Sequence, residues 1–267
     1  MPTWGQALAY GLSELGQTAK VDVLRLLTDH TEKNLLAVYD ILDLSYPDFS
    51  EFQKKISRCK QGEPVAYITN RQDFWQSSFY VDSNVLIPRQ DSELLVEHLL
   101  TLKPATVLEL GVGSGAVILS YLLENKAATG FASDLSMGAL SVARRNSEQL
   151  ACPLTLKHGS WFAPWASDKF AAIVANPPYI AANDPNLAAL SHEPRSALVA
   201  ADAGLADLKA IIAEAMHYLE PGGWLLLEHG FEQAKALATE LLAWPLVYCL
   251  ADINGRPRVT VAQAPLI

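Results

Sequence analysis

Residues 106–125, TVLELGVGSGAVILSYLLEN, carry the reading that decides the fold. "TVLEL" is a short apolar run of strand length. Gly111, Gly113 and Gly115 follow it at alternate positions, and "AVILSYLLEN" then reads as a helix with few polar positions, one buried against a sheet. Strand, glycine turn and helix form one unit, and the chain repeats it toward the C-terminus. "GFASD" (130–134) predicts a second strand and "MGALSVARRNSEQL" (137–150) a second helix. "LTLKHG" (154–159) and "FAAIVAN" (170–176) are the third and fourth strands. "LADLKAIIAEAMHYLEPGG" is a helix stopped by Pro-Gly-Gly, and it leads into the strand "WLLLEHG" (224–230). A helix near 231–242 and two closing strands, "LVYCLAD" and "RVTVAQ", complete the pattern. Alternating elements of this kind predict a seven-stranded, mostly parallel α/β sheet covered on both faces. The last two strands have no helix between them, which predicts an antiparallel edge.

Toward the N-terminus the texture changes. "DFWQSSFYVDSNVLIP" is rich in aromatic and β-branched residues and predicts a hairpin, placed at 74–88 as a linker. Residues 1–73 hold short helical patterns and predict a small all-helical bundle. Leu8, Leu12 and Leu15 share one spacing, Val21, Leu24 and Leu27 another, and Leu35, Leu36, Val38 and Tyr39 a third. A further helix, "DFSEFQKKISRCKQG", ends at Gly62. Lys54, Lys55, Arg58 and Lys60 give it a basic side, which reads first as a solvated face and second as a docking patch.

Composition narrows the function classes. Half of the 267 residues are apolar and 18% are charged, an ordinary globular composition with no low-complexity tract. No apolar run approaches the ~20 residues that span a bilayer, and the start lacks the basic head of a signal peptide. Cys59, Cys152 and Cys249 are widely spaced without a CxxC pair, so they read as reduced cytoplasmic thiols and predict neither disulfides nor a metal site. A net charge of -9 argues against a protein that wraps phosphate backbones.

The glycine turn admits two kinds of ligand. Glycines there let the backbone approach a ligand closely, and Asp134 at the end of the second strand suits ribose hydroxyls. Gly111, Gly113 and Ala116 also satisfy the dinucleotide fingerprint G-x-G-x-x-G/A, so the turn alone does not separate a dehydrogenase from a methyltransferase. The fourth strand separates them. It ends in "NPPY", Asn176 to Tyr179, and with strand order 3-2-1-4-5 this segment and the glycine turn border one crevice. Two prolines fix φ and bias each preceding residue to an extended form, so they present carbonyls stiffly. Tyr179 adds an aromatic face directly after them. A dehydrogenase has no use for this segment, whereas an enzyme that methylates a planar amino group does.

"ELGVGSG" followed by "NPPY" resembles the Rossmann-like class I S-adenosylmethionine-dependent methyltransferases. "AYITNRQDFW", "LIPRQDSELLVE", "NPPYI", "HEPRSALVAADAG", "LLLEHG" and "DINGRPRVT" sharpen this. Together they resemble, from about residue 66 to 260, the N(5)-glutamine methyltransferases of peptide chain release factors. Three positions depart from that family: Glu109 where Asp is usual, Gln90 where Pro is usual, and Ser160 where Asp commonly precedes the Trp.

The resemblance implies residues 89–267 as the methyltransferase domain and 1–73 as a release factor docking bundle. It implies S-adenosylmethionine as cofactor and S-adenosylhomocysteine as its product, with no metal. Glu109, Gly111, Val112, Gly113, Ser114, Gly115, Asp134, Trp161 and Asn176 are the expected cofactor residues; for Trp161, core packing competes with contact to the adenine. Asn176, Pro177 and Tyr179 are the expected catalytic residues. The Asn176 side-chain oxygen and the Pro177 carbonyl accept the two N–H hydrogens of a glutamine amide. Pro178, Glu193 and Arg89 complete the expected substrate contacts, Glu193 with Pro194 as a lid and Arg89 as a wall. Glu228 and Gly230 end the fifth strand near the crevice, and His192 and His229 are expected to be structural. The implied partner is a class 1 release factor carrying Gly-Gly-Gln, bound by a cytoplasmic monomer without stable nucleic acid or membrane contact.

Two rival readings stand beside this one. A nucleic-acid amino-methyltransferase uses the same NPPY segment, but it would need a basic groove or a recognition domain. The first 73 residues instead hold eight Lys and Arg against ten Asp and Glu. A cofactor-binding scaffold without catalysis would have no need of NPPY.

Overall fold

The computed structural model describes residues 1–29, 31 and 35–267 and divides into two compact units, Met1–Arg71 and Gln72–Ile267.

The first unit is helical. Its main helices are Trp4–Leu15, Lys20–Thr28 and Phe49–Lys60, with a short turn of helix at Val65–Ile68. Thr3 and Gln6 form a reciprocal capping box at the first helix, which satisfies two backbone donors that the helix start leaves open. Trp4, Tyr46 and Phe52 meet edge to face in the core, and the Tyr46 hydroxyl donates to the Leu27 carbonyl at 3.2 Å. The pattern expected to be helical around Leu35–Tyr39 falls partly outside the described residues. Its described part, Leu36–Asp40, is a 3₁₀ stretch. The basic side of the Phe49–Lys60 helix is neutralised: Lys54 pairs with Glu51, Lys55 with Asp29, Arg58 with Glu63 and Lys60 with Glu14. Each cation has an acidic neighbour, so this face presents no unbalanced positive patch.

The second unit begins with a hairpin of two three-residue strands, β1 (Gln72–Phe74) and β2 (Ser77–Phe79). Phe74 and Phe79 are buried in the core of this unit. Next come β3 (Thr106–Leu110), β4 (Thr129–Asp134), β5 (Thr155–His158) and β6 (Phe170–Ala175), then the two-residue strands β7 (Ile180–Ala181) and β8 (Val199–Ala200). β9 (Leu219–Glu228), β10 (Leu246–Ala251) and β11 (Pro257–Gln263) follow.

The main sheet has seven strands in the order β10-β11-β9-β6-β3-β4-β5. β5, β4, β3, β6 and β9 run parallel, and β11 runs antiparallel to both of its neighbours. The predicted order is therefore observed, with one refinement at the edge: the later strand, β11, lies inside β10. Alternation along the strands sends Val107 and Val174 to one face and Leu108 and Ile173 to the other, and each face is covered by its own apolar cluster. Helices Glu93–Leu102 and Ala116–Glu124 cover the first face, and Ala206–Tyr218 covers the second. Strand order reverses between β3 and β6, so the turns that follow those two strands open onto a common cavity. Among the described residues no helix is long and apolar enough to cross a membrane.

Candidate active site

The cavity at that reversal measures about 420 Å³. Its first wall is the glycine turn after β3. Gly111, Gly113 and Gly115 all have positive φ (70°, 51° and 78°), where a side chain would be strained. The Gly111 and Val112 amides donate to the Ser133 carbonyl of β4 at 2.9 and 3.1 Å, which ties the turn to the neighbouring strand. Space at Gly113 is open to 4 Å, whereas a Cβ on Gly111 would stand 3.3 Å from the Trp161 ring. Trp161 thus closes one side of the turn, held by its carbonyl accepting from the Ser133 hydroxyl at 2.8 Å.

Asp134 ends β4 beside this turn. Its carboxylate accepts from the Gly113 amide (3.0 Å) and the Ser136 amide (2.8 Å). Burial raises its pKa, and those backbone donors pull it back. Leu135 and Met137 leave large apolar side chains exposed on either side of Ser136.

Glu109 is 4% exposed, on the face of β3 that looks toward helix Ala116–Glu124, where Oε2 accepts from the Ile118 amide at 3.1 Å. Burial pushes its pKa up to about 8; the Asp134 charge adds to this, and the Ile118 amide opposes it. A folded state that binds this proton more tightly than the unfolded chain loses stability as pH rises, from about 4.5 up to about 8. Glu109→Gln removes that loss. The ligand-free variant is therefore expected to match the parent at pH 5 and to exceed it in melting temperature at pH 8.5. Thermal unfolding at both values checks this, and an equal difference at the two would contradict the assignment.

The second wall is the segment after β6. Asn176, Pro177 and Pro178 line the cavity opposite Gly111 to Ser114, with Pro177 buried. The Asn176 Nδ2 donates to the Ser92 hydroxyl at 3.1 Å. Tyr179 lies one residue outside the lining, its hydroxyl 3.4 Å from Glu228 Oε1 at the end of β9. Its backbone is clamped from behind. The Gln233 amide donates to the Tyr179 carbonyl (3.1 Å) and accepts from the Gly230 amide (2.9 Å), and Gly204 packs against the same carbonyl. Glu228 is 1% exposed; burial, with the Asp91 charge, pushes its pKa up to about 7, against the pull of Ser92, Tyr179 and Arg258.

Of the residues expected from sequence, the cavity gathers Glu109, Gly111, Val112, Gly113, Ser114, Asp134, Trp161, Asn176, Pro177, Pro178 and Pro194. Gly115 stands one step back and begins the following helix. Arg89 and Glu193 stand behind the wall and join each other in an ion pair, with Glu193 also accepting from the Ile87 amide at 3.1 Å. That pair links the 182–198 segment to the 85–92 segment. His229 is fully buried between the Thr260 hydroxyl and the Gly230 carbonyl, and burial lowers its pKa; His192 is exposed outside the cavity. Sequence reading missed Ser92, Gln233 and Gly204. Ser92 and Gly204 lie inside the quoted stretches "LIPRQDSELLVE" and "HEPRSALVAADAG" without having been singled out, and Gln233 lies in neither.

A family model described as the Methyltransferase small domain matches residues 89–200. The release factor glutamine methyltransferase of Yersinia pestis is 44% identical over 216 residues, 78% of each chain. That of Coxiella burnetii is 37% identical over 261 residues, 94% of each chain. Among solved structures, a methyltransferase from Pyrococcus furiosus superposes with a TM-score of 0.56 at 15% identity, covering 80% of this chain and 99% of that one. A 16S rRNA methyltransferase of T. thermophilus, in complex with AdoMet and guanosine, gives 0.53 at 18% identity over 73% of this chain and 49% of that one. The structural likenesses establish a shared fold. The sequence likenesses, running nearly end to end, establish more: this chain belongs to the release factor glutamine methyltransferase family.

Proposed function

We propose that the protein transfers a methyl group from S-adenosylmethionine to the side-chain amide nitrogen of the glutamine in the Gly-Gly-Gln tripeptide of a peptide chain release factor. One observation carries the reading. The Asn176 amide faces the cavity with its nitrogen committed to Ser92, so its carbonyl oxygen is the end left to accept, next to the stiff Pro177–Pro178 backbone and across from the glycine turn.

The residues on the first wall suit the cofactor. The carboxylate of Asp134 keeps acceptor capacity beyond its two backbone bonds, which fits hydroxyl donors such as those of a ribose. Gly113 leaves the space a ligand would fill, and Glu109 is a buried carboxyl whose ionised form a nearby cation would stabilise. Trp161 offers an aromatic surface beside Gly111. When bound, S-adenosylmethionine supplies an electrophilic methyl on a positively charged sulfur.

The other wall holds the acceptor. A glutamine nitrogen is a weak nucleophile because its lone pair is delocalised into the carbonyl. The Asn176 oxygen and the Pro177 carbonyl each take one N–H hydrogen and thereby fix the nitrogen's orientation. Holding reacting atoms in near-attack geometry supplies most of the acceleration. With the cofactor bound, its sulfur would give up the methyl to this nitrogen, which would then release one proton to water. In this reading no side chain needs to act as a base; His192 and His229 lie outside the lining. A glutamate in place of the glutamine sets lone pairs against lone pairs, and each buried partner left unsatisfied costs ~1–3 kcal/mol. In this reading the helical unit docks the release factor, and the protein works as a cytoplasmic monomer.

The test is intact-peptide mass spectrometry with S-adenosylmethionine and a bacterial release factor, beside its Gln-to-Glu version and duplex DNA. One methyl on the tripeptide glutamine and none elsewhere is the expected result. Methyl on nucleic acid and none on protein would move the activity to exocyclic amines of bases.

A further inference from the structure

We propose that Asn146 is a positioning residue of the cofactor site. From behind the cavity it ties the glycine turn to the segment that follows β2, so that the two form one wall before any cofactor arrives. This rests on the methyltransferase reading above and adds a residue that lies outside the cavity lining.

Asn146 lies inside the helix Met137–Gln149 and is 1% exposed. Asparagine is a poor helix former, and once buried its oxygen and both N–H groups need partners. All three are satisfied. Oδ1 accepts from the Tyr80 amide at 2.7 Å, and Nδ2 donates to the Tyr80 carbonyl at 2.9 Å and to the Ser114 carbonyl at 2.8 Å. A backbone N–H only donates and a carbonyl only accepts, so these partners permit one orientation of the amide. The side chain thus pairs with both polar groups of Tyr80, as a neighbouring strand would. Its second N–H goes to the residue just before Gly115. Neither aspartate nor serine has the groups to make all three bonds.

Both tied segments go on to line the cavity. Ser114 lines it as part of the glycine turn. On the other side the hold passes along the chain from Tyr80. The Tyr80 hydroxyl donates to Asp82 Oδ2 (3.2 Å), Asp82 Oδ1 accepts from the Asn84 amide (2.9 Å), and the Asp82 carbonyl accepts from the Val85 amide (3.1 Å). Asn84, Val85 and Leu86 then face the cavity, while Tyr80 stays outside it. Two contacts press this segment onto the same helix. The Arg145 guanidinium lies 3.5 Å over the Tyr80 ring, and Gly138 leaves room for Asn84, whose Oδ1 would stand 2.5 Å from a Cβ there. Bonds that persist with and without a ligand add nothing to its affinity directly. They act by keeping the binding-competent arrangement populated, because the apparent dissociation constant rises as that population falls.

The test uses the full-length protein with S-adenosylmethionine and S-adenosylhomocysteine. Asn146→Ala and Asn146→Asp are compared with the parent, and thermal unfolding follows their folding. Leu241→Ala, a buried change in the cluster on the opposite face of the sheet, controls for general destabilisation. Calorimetry is expected to show both ligands bound ~10-fold more weakly by the Asn146 variants, as the competent fraction falls to about a tenth. Aspartate keeps an acceptor for the Tyr80 amide but sets lone pairs against two carbonyls, so it should do no better than alanine. Turnover at saturating cofactor should stay within about threefold of the parent, so that KM for the cofactor rises while kcat holds. Leu241→Ala should lower the melting temperature and leave cofactor affinity unchanged. A second readout needs no variant. Tyr80 and Gly115 occupy the chain's only Phe-Tyr and Ser-Gly pairs, so paired isotope labels assign their amides. In the parent, S-adenosylhomocysteine should slow hydrogen exchange at Tyr80, outside the cavity, in parallel with Gly115. In ligand-free Asn146→Ala both amides should exchange faster. Parental cofactor affinity in a folded Asn146 variant, an equal loss in Leu241→Ala, or protection of Gly115 without Tyr80 would overturn the proposal. If the parent binds neither ligand, the methyltransferase reading fails, and exchange at the two amides in Asn146→Ala still decides whether Asn146 joins the two segments.

Discussion

Asn176→Ala is expected to lower turnover on a release factor by ~10²–10³-fold while leaving S-adenosylmethionine binding within about threefold of the parent. The size follows from what is lost. The side chain supplies one of two fixed acceptors in a partly buried site, and removing one preorganised hydrogen-bonding group of this kind typically costs that much in kcat. Asn176→Asp is the sharper companion. It keeps an acceptor but sets a carboxylate against the buried Ser92 hydroxyl in place of an amide that donates there, and a charge in a partly buried site is costly. The small effect on cofactor binding follows from the geometry, because the glycine turn, Asp134 and Trp161 form the other wall. Single-turnover mass spectrometry and calorimetric binding separate the two quantities. Parental turnover in the alanine variant would remove Asn176 from the chemistry altogether.

The second large effect is expected at a residue that touches no reactant. Gly204 has φ of +89°, and a Cβ there would stand 2.1 Å from the Tyr179 carbonyl oxygen and 2.8 Å from Gln233 Nε2. No side-chain rotation relieves a clash with backbone. Gly204→Val must therefore push the 176–179 segment or unwind the left-handed turn, in which Asp202 and Ala203 also hold φ near +52°. A displacement of about 1 Å at a reacting centre can cost ~10² in rate, and overpacking with backbone strain costs ~1–3 kcal/mol or more. Turnover should fall by ~10²-fold and the melting temperature by ~5–10 °C. Ala203→Gly is the control: it relieves a positive φ one residue away and should leave both quantities nearly as they were. Equal behaviour of the two variants would mean that the turn does not hold the Tyr179 carbonyl.

What the sequence made legible, and what it hid, divides along a physical line. β3, its glycine turn and "NPPY" were readable because each is local. A buried parallel strand is a short apolar run, a tight turn needs glycines, and paired prolines stop a strand. The order β5-β4-β3-β6-β9 is one of several that alternation and right-handed crossovers allow, and it comes with the doubly wound pattern as a whole. β11 lying inside β10 could not be read, because a hairpin at a sheet edge can add in either order. The partners of Asn176 and Tyr179 were hidden for the same reason. Ser92, Gly204 and Gln233 meet them only through the sheet, across separations of 84, 25 and 54 positions. The Leu36–Asp40 segment had helical spacing but forms a 3₁₀ stretch, since spacing reports which face is buried better than how the backbone is wound.

The place of β11 sets the order in which the sheet can be completed during synthesis. A ribosome that has reached Asp252 has already made every residue that lines the cavity, together with Glu228 and Gln233. Yet β9 still has an open edge then, β10 has no partner, and Asp91 lacks the Arg258 guanidinium that sits 3.0 Å away in the finished molecule. Residues 257–263 enter the sheet between two strands made before them, so the sheet closes only after both of its neighbours exist. A chain that stops at Asp252 would hold every cavity residue on a sheet that still lacks its inner edge strand.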